Sequence, residues 1–579
     1  MKFPISHFAG EIPRTIPRLL PDGFAQVAIN CKLEDGSLTP IRIGRLEHTA
    51  GFVPQTIFLQ GENWLTWDIP LDIVPGPVAS DRLYITGEGA PKMRVGDTVR
   101  SLALSSPITP LVVQVIGQGN DTSTTVLYTY TWVTDLDEES EPAPVSNEMT
   151  FNEGGYVYIV GFGVPPATRG VNRLRLYRSQ TSALGSTVFY FIKELPVVDG
   201  VPPTEYLDRA DSFVEPLPSL DYNPPPDTLR GLIALPNGMM AAFSGKGLYF
   251  CEPYIPHAWP EKYVLTTDYE IVGLGAFGSS IAVLTKGQPY VVTGSAPENM
   301  TMEKLELNLP CINKRGIVDL GYAVAYPTHG GLVTISTSGA QVATEGLFTR
   351  DQWLKMNPYS FVASQFSGRY MASYAYSDDE GMAQKGIIII DLTGARPFVS
   401  RSSDFANAMF YQIETGLLYV ANDRQVFEWD ALSQPYSEMT WISKRLMLPT
   451  YTNFGALLVE AEDVLTADQR KGIEAKNVEI RAKNRVLIDS GAFNGQLGAI
   501  EMSALPLAGS LLQPIIDYVP TVGVTVIADG KEVGFVSEAN DVARLPSGFL
   551  SKVWEIAVRG NTQVTALVLA STPTDIAES

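Results

Sequence analysis

A repeat of about 43 residues, running from position 226 to 443, limits what this chain can fold into more than any other feature. Units begin near Thr228, Tyr269, Arg315, Pro358 and Asp404. Each carries two apolar runs: residues 239–243 and 248–251, 280–285 and 290–293, 323–326 and 332–335, 370–376 and 386–391, 416–421 and 425–429. The runs are rich in Val, Ile, Tyr and Phe, bounded by Gly, Asn, Asp or Pro, and too short for helices. One small sheet of this kind cannot cover both its faces, whereas neighbours in a ring can. The repeat therefore predicts a β-propeller of about five to six blades across residues 226–445, ahead of a long β-sandwich or a stack of sandwiches. Five legible units leave the ring to be closed by strands from outside, with 446–460 or part of 51–100 as donors.

With 579 residues the chain has room for about three to five domains. Only 18% of residues are charged, against 50 Gly and 41 Pro, a balance that suits an all-β protein with many turns. The net charge of −21 argues against a grip on nucleic acid or on anionic membrane, both of which need clustered cations. Cys31, Cys251 and Cys311 lie far apart, so neither a disulfide framework nor a zinc spacing is expected, as for a protein folded in a reducing cytoplasm. Residues 1–20 have no apolar core of the signal-peptide kind, and no uninterrupted apolar run reaches membrane-spanning length.

Four regions are expected. Residues 1–110 read as a β-rich arm and platform: Pro13, Pro17 and Pro21 keep the start extended, and 26–33 with 38–43 form a hairpin. The stretch Leu83-Tyr84-Ile85-Thr86-Gly87 echoes Tyr290-Val291-Val292-Thr293-Gly294, either a distant echo of a blade strand or, the reading preferred, a turn idiom used twice. Residues 111–225 hold seven strand candidates in about 110 residues, the rhythm of an immunoglobulin- or fibronectin-like β-sandwich. There Tyr128, Tyr130 and Trp132 alternate on one face. A stiff linker containing Pro224-Pro225-Pro226 follows. Residues 226–445 are the propeller. Residues 446–579 return to strands with one short helix, for which Thr466-Ala467-Asp468-Gln469 is a capping box and 463–477 the span. Next, 478–488 alternates as a strand, 505–520 is an apolar surface, and Asp529-Gly530 turns a hairpin.

Motifs that carry chemistry are sparse. His7, His48, His257 and His329 show no helical metal spacing, and His257 reads as a loop-packing residue. Gly273 to Gly278 matches G-x-G-x-x-G, but a strand and not a helix follows, so the match reads as a turn between blades. The acidic run Asp135-Leu136-Asp137-Glu138-Glu139-Ser140-Glu141 is the one candidate ion loop. It has Ser140 and Ser146 where an EF-hand needs Gly and Glu, so a solvated loop is expected. Ser377-Asp378-Asp379-Glu380-Gly381 partly matches the structural Asp-box turn of sialidase-type propellers. No catalytic, cofactor-binding or metal residue is assigned, and no enzyme is expected.

The N-terminal run is the most distinctive. Phe8-Ala9-Gly10-Glu11-Ile12-Pro13-Arg14, Leu20-Pro21-Asp22, Ala25 through Leu33 and Gly36-Ser37-Leu38-Thr39-Pro40 resemble the start of phage virion proteins. With Trp67-Asp68 to Pro91-Lys92, Tyr128 to Ser146 and Leu174 to Ser179, they resemble the tail nozzle proteins of short-tailed bacteriophages. That resemblance implies a virion structural protein, made and assembled in the host cytoplasm and forming a homo-oligomeric ring of six at the distal tail. Its partners would be the portal-adaptor proteins, the tail fibres and the host surface, with genomic DNA passing through without specific binding. The competing reading is a receptor- or glycan-binding propeller, with or without glycosidase activity, which would work alone and show a cleft of carboxylates and aromatics.

Overall fold

The computed structural model describes residues 1–117, 123–152, 154–181, 187–209, 215–378, 381–394, 396–462, 467–489, 512, 513, 515, 516 and 520–577. The fold is all-β and multidomain. Its centre is a ring of antiparallel sheets, and all five sequence repeats are blades of it. The blades open at Arg230–Ala234, Ile271–Phe277, Val318–Asp319, Val362–Phe366 and Ala408–Gln412. These opening strands pack one against the next around the ring.

Two further pieces complete the ring, both from early in the chain. Asp72–Pro75, Arg82–Gly87, Gly89–Val95 and Thr98–Ser101 make a four-stranded blade beside the one that opens at Arg230. The hairpin of Thr56–Gln60 and Asn63–Trp67 fills the remaining gap, against Ala408–Gln412. Ile57 and Trp64 share a small core there with Tyr419, Ala421 and Val426. The last blade lacks a fourth strand of its own. Arg45–Thr49 supplies it, with His48 opposite Val426 and Leu46 opposite Phe427. The ring thus holds six four-stranded blades and one hairpin.

Of the two closing donors expected from sequence, 51–100 is correct and 446–460 is not. Leu446–Thr452 pairs with Ser551–Gly560, and Ala456–Ala461 with Val564–Ala570, both outside the ring. The echo between 83–87 and 290–294 joins two blade strands, the second of one blade and the third of another, so it is not a turn idiom. Glycines of the G-x-G-x-x-G match lie mostly within Ile271–Phe277, and only Gly278 turns the chain. Their smallness lets blades meet: a Cβ on Gly275 would sit 2.5 Å from Val324 Cγ1.

A segment at the start of one repeat reaches across the ring. Lys314 Nζ pairs with Asp72 Oδ2 at 2.5 Å, and that same oxygen accepts the Gly231 N–H at 2.9 Å. Arg315 Nη2 donates to Asn407 O at 2.5 Å and Gln55 O at 2.8 Å. Two adjacent cations therefore tie one blade to three segments on the far side, at Asp72, Gln55 and Asn407.

The β-sandwich is an insertion between Ser101 and Arg230. Its sheets are Val112–Ile116, Tyr156–Val160, Glu205–Asp208 and, facing them, Tyr128–Thr134, Val171–Thr181, Thr187–Pro196. Tyr128, Tyr130 and Trp132 point into its core with Val157, Ile159, Leu174 and Leu176, as their alternation predicts.

Both chain ends build a second sandwich. Lys2–Ile5 pairs with Val564–Ala570, and Ala25–Ile29 lies between Phe398–Ser402 and Met439–Ser443. The outer strand of one blade thereby continues into this sandwich as a ten-stranded sheet. Residues 1–40 are consequently not an extended arm: Phe8, Ala28 and Leu38 are fully buried in the terminal core, because their apolar surface is covered by strands from the other end of the sequence. Buried Glu11 accepts the Ala28 N–H and pairs with Arg401 of the blade at 3.2 Å. The expected strand at 478–488 is instead part of a helix, Ala467–Asp489. Ion pairs at helical spacing, Glu479 with Lys483 and Asp489 with Arg485, outweigh the alternating pattern. Residues 463–466, the start of the expected helix with Thr466 of its capping box, and most of 505–520 lie outside the described residues.

Trp441 tests this joint. It packs edge-on against Phe8 at 5.1 Å and donates from Nε1 to Ala9 O at 3.1 Å. Trp441→Ala should lower the stability of the terminal sandwich by about 3–5 kcal/mol. The check is the denaturant midpoint followed by Trp fluorescence, which should fall clearly below that of the parent chain.

Candidate functional site

The densest chemistry lies where the inserted sandwich meets the ring, around the acidic run 135–141. The run leaves the end of Tyr128–Thr134 and folds back along it: Ser140 and Ala143 donate their N–H groups to Trp132 O and Tyr130 O. That return brings the carboxylates under Val171–Thr181, whose Arg173 and Arg175 alternate onto one face. The expected solvated loop is therefore a correction, since Glu138, Glu139 and Ser140 are buried.

Four acids of the run are each held by an arginine. Asp135 takes Arg100 in a two-pronged pair at 2.6 and 3.0 Å. Asp137 pairs with Arg173, Glu139 with Arg175 at 2.8 Å, and Glu138 with Arg169 at 2.6 Å. Arg169 is completely buried, and burial pulls its pKa below the ordinary value while Glu138 pushes the other way. Glu139 also accepts from Tyr177 OH at 2.5 Å and Thr131 Oγ1 at 2.7 Å. Burial, then Glu139, raises the Tyr177 pKa. Carboxylates each paired with an arginine do not make a calcium cage, and among the described residues no group of three or more His, Cys, Asp and Glu is placed to hold a metal.

His257 enters from the blade that opens at Arg230. Its Nε2 lies 2.8 Å from Glu139 O, and its Nδ1 lies 3.9 Å from Glu138 Oε1. Tyr222 meets the ring edge-on at 6.1 Å, so the proline-rich stretch is packed into the junction. Arg82 Nη1, from the first blade, stands 4.0 Å from Glu138 Oε1. These groups floor a cleft of about 260 Å³ whose rim includes Val78, Asp137 and Tyr254. Five buried polar atoms at this junction make no hydrogen bond: Glu138 Oε1, His257 Nδ1, Arg82 Nε, Arg169 Nε and Tyr84 OH.

The loop-packing reading of His257 agrees with its burial. What sequence reasoning missed was the cleft, because its walls are 82, 138 and 257, three distant positions. One signal was available: a run of acids followed by arginines alternating on a predicted strand. The other candidates stay apart from the cleft. Asp378 of the Asp-box-like turn accepts from Met382 N at 2.8 Å and Gln384 Nε2 at 2.9 Å, while residues 379 and 380 lie outside the described residues. Cys31, Cys251 and Cys311 are free and buried, and burial pushes the Cys251 and Cys311 thiols up to about 12. Among the described residues no helix is long and apolar enough to cross a membrane.

No family model matches the chain, and no curated protein matches it. Among solved structures, the chain is similar to the N-terminal domain of Nup159, at 10% identity and a TM-score of 0.24, covering 46% of this chain and 70% of that one. It is similar to the extracellular domain of the putative hybrid two-component system BT4673 from B. thetaiotaomicron, at 10% identity and a TM-score of 0.23, covering 60% of this chain and 43% of that one. PorZ of Porphyromonas gingivalis, a surface component of its type-IX secretion system, shares 12% identity at a TM-score of 0.21, over 52% of this chain and 42% of that one. At these scores none bears on what the chain does.

His257 gives the junction a defined pH response. Burial, the largest cause, holds its pKa below the ordinary 6.5, with Glu138 opposing. Below about pH 6.5 the unfolded chain takes up a proton that the folded chain refuses, so stability falls with pH until the lower folded value is reached. Above that window His257 is neutral in both states and contributes nothing. His257→Gln keeps a donor for Glu139 O and removes the titration. Melting temperatures from about pH 7.5 to 5.5 should therefore drop less in the variant than in the parent. Parallel slopes would contradict the assignment.

Proposed function

We propose that the chain is a structural subunit of a phage tail, a nozzle-like protein whose copies form a ring through which DNA leaves the particle. One observation carries the reading most. The N-terminal residues on which the nozzle resemblance rests, Phe8, Glu11, Ala28 and Leu38 among them, weld the terminal sandwich to a blade. The resemblance thus falls on the joint that sets this architecture and not on a loose tail. Three modules locked by buried ion pairs and a shared sheet suit a part that must hold its shape while DNA is forced past it.

The propeller's own channel is a poor conduit in this reading, because Lys314 and Arg315 reach across it. The DNA path is the axis of a ring of copies, closed by head-to-tail contacts. A net charge of −21 per chain suits such a path, since each cation on phosphate would add salt-dependent binding that slows passage. Catalysis has no part in this role. The partners are further copies of the chain, the portal-adaptor assembly, tail fibres and the host surface, and the protein resides in the virion.

The test is the mass and shape of the purified protein alone and after mixing with the tail's portal-adaptor assembly. The expected result is a cyclic assembly, of six copies in the nozzle reading, with no duplex binding at low salt. A protein that stays monomeric with the adaptor present, or that binds duplex DNA tightly and salt-sensitively, would overturn it.

A further inference from the structure

One sheet of the inserted sandwich is apolar on both faces. A half-buried strand alternates apolar with polar residues, yet Val112–Ile116 and Tyr156–Val160 carry apolar or aromatic side chains at nearly every position. Val113, Val157 and Ile159 take the core side and are buried. The residues of opposite parity point outward. Val112 and Ile116 are each 47% exposed, and Tyr156 and Leu207 each 40%. Val112 lies beside Val160 and Ile116 beside Tyr156, so the apolar surface runs on from strand to strand.

The charges on this face indicate what covers it. One acid and one base stand along its third strand. Glu205 accepts from Tyr158 OH, and the Arg209 guanidinium lies 5.7 Å over the Tyr156 ring. Together they are neutral, whereas the chain as a whole carries −21, so two copies can meet here without like-charge repulsion. The two charges lie two residues to either side of Leu207. Leu207 shares a row across the sheet with Tyr158 and Gln114. A two-fold axis laid along that row stacks the face on a second copy of itself with the strands reversed. Val112 then falls on the partner's Ile116 and Val160 on the partner's Tyr156. Glu205 falls on the partner's Arg209, and the reverse pair forms at the other end. Three strands about 4.8 Å apart and five residues of about 3.3 Å make a face of about 14 by 16 Å, which is small for a protein interface and suits a weak contact.

We propose that two copies of the chain pair through this sheet face about a two-fold axis along the row of Leu207, as a weak dimer. A ring closed by head-to-tail contacts has no such axis between neighbours, so the contact is additional to the ring and does not rest on that reading.

The test is sedimentation equilibrium on the full chain from about 1 to 200 µM, with three variants. Leu207→Asp sets two like charges on the axis, at an exposed position where the fold does not depend on the side chain. Glu205→Arg sets cation against cation at both ends of the contact. Glu205→Arg with Arg209→Glu restores opposite charges, but only if each position meets the other across a two-fold. Expected are a monomer–dimer equilibrium of the parent with a Kd of about 10–100 µM, and a monomer at every concentration for Leu207→Asp with an unchanged melting temperature. Glu205→Arg should weaken pairing about ten-fold, and the double variant should return to within about three-fold of the parent. The proposal is overturned if the parent's mass does not change with concentration, or if Leu207→Asp associates as the parent does. It is equally overturned if the double variant pairs as weakly as Glu205→Arg, which would mean that the face meets a different surface or a different partner. Where the parent assembles with the portal-adaptor proteins, Leu207→Asp should assemble too. Loss of the ring in that variant alone would place the face inside the ring and overturn the two-fold.

Discussion

The pairing of Arg45–Thr49 with Gln425–Glu428 is the contact on which the rest of the architecture hangs. A ring of sheets has no natural end, and its last blade must find its outer strand in the first part of the chain. Once residues 45–49 are committed there, the chain must next supply the hairpin at 56–67 and the blade at 72–101 before the repeats begin. The residues before 45 are left beside the point where the chain leaves the ring, at Met439–Ser443. Both ends then share one core, and the terminal sandwich follows from the closure. Lys314 and Arg315 reinforce it from inside by tying one blade to the pieces opposite.

The second constraint is electrostatic. The inserted sandwich hangs on the ring by two strand exits, yet it is fixed there by a cluster of buried acids and arginines. Such pairs contribute little net stability compared with apolar residues of the same shape, while breaking one strands its partner and costs about 3–5 kcal/mol. Their use here is orientation. Arg169 reaches Glu138 within the sandwich and Met93 Sδ in the first blade, and His257 adds the next blade, so a single geometry satisfies all of them. The same arrangement leaves one Glu138 oxygen and the His257 Nδ1 buried without a hydrogen bond.

Much of the ring and of the sandwich was legible in sequence. The five repeats declare themselves because each blade must bury the same faces, and strands such as 128–134 show their alternation because one side faces a core. Strand exchange leaves no such trace. Nothing in residues 45–49 or 425–428 marks them as partners, since pairing is carried by backbone groups common to every residue. The blade at 72–101 showed only as a candidate donor within 51–100, because Pro75, Gly76 and Gly87 through Gly89 break its strands into short pieces. The acidic run read as solvated because its arginines lie 31 to 36 residues on, and as far back as Arg100. The helix at 467–489 carries too little apolar periodicity for its face to be read, and ion pairs support it.

Closure of the ring depends on the early strand being a working part of the last blade. Hydrogen exchange on the full chain, read by mass spectrometry, tests that directly. Amides of residues 45–49 that bond to residues 425–428 should exchange slowly and open together with those of 417–428, in one cooperative unit. Fast exchange across 45–49, with 417–428 still protected, would mean that the blade stands without its borrowed strand, and the closure described here would be wrong.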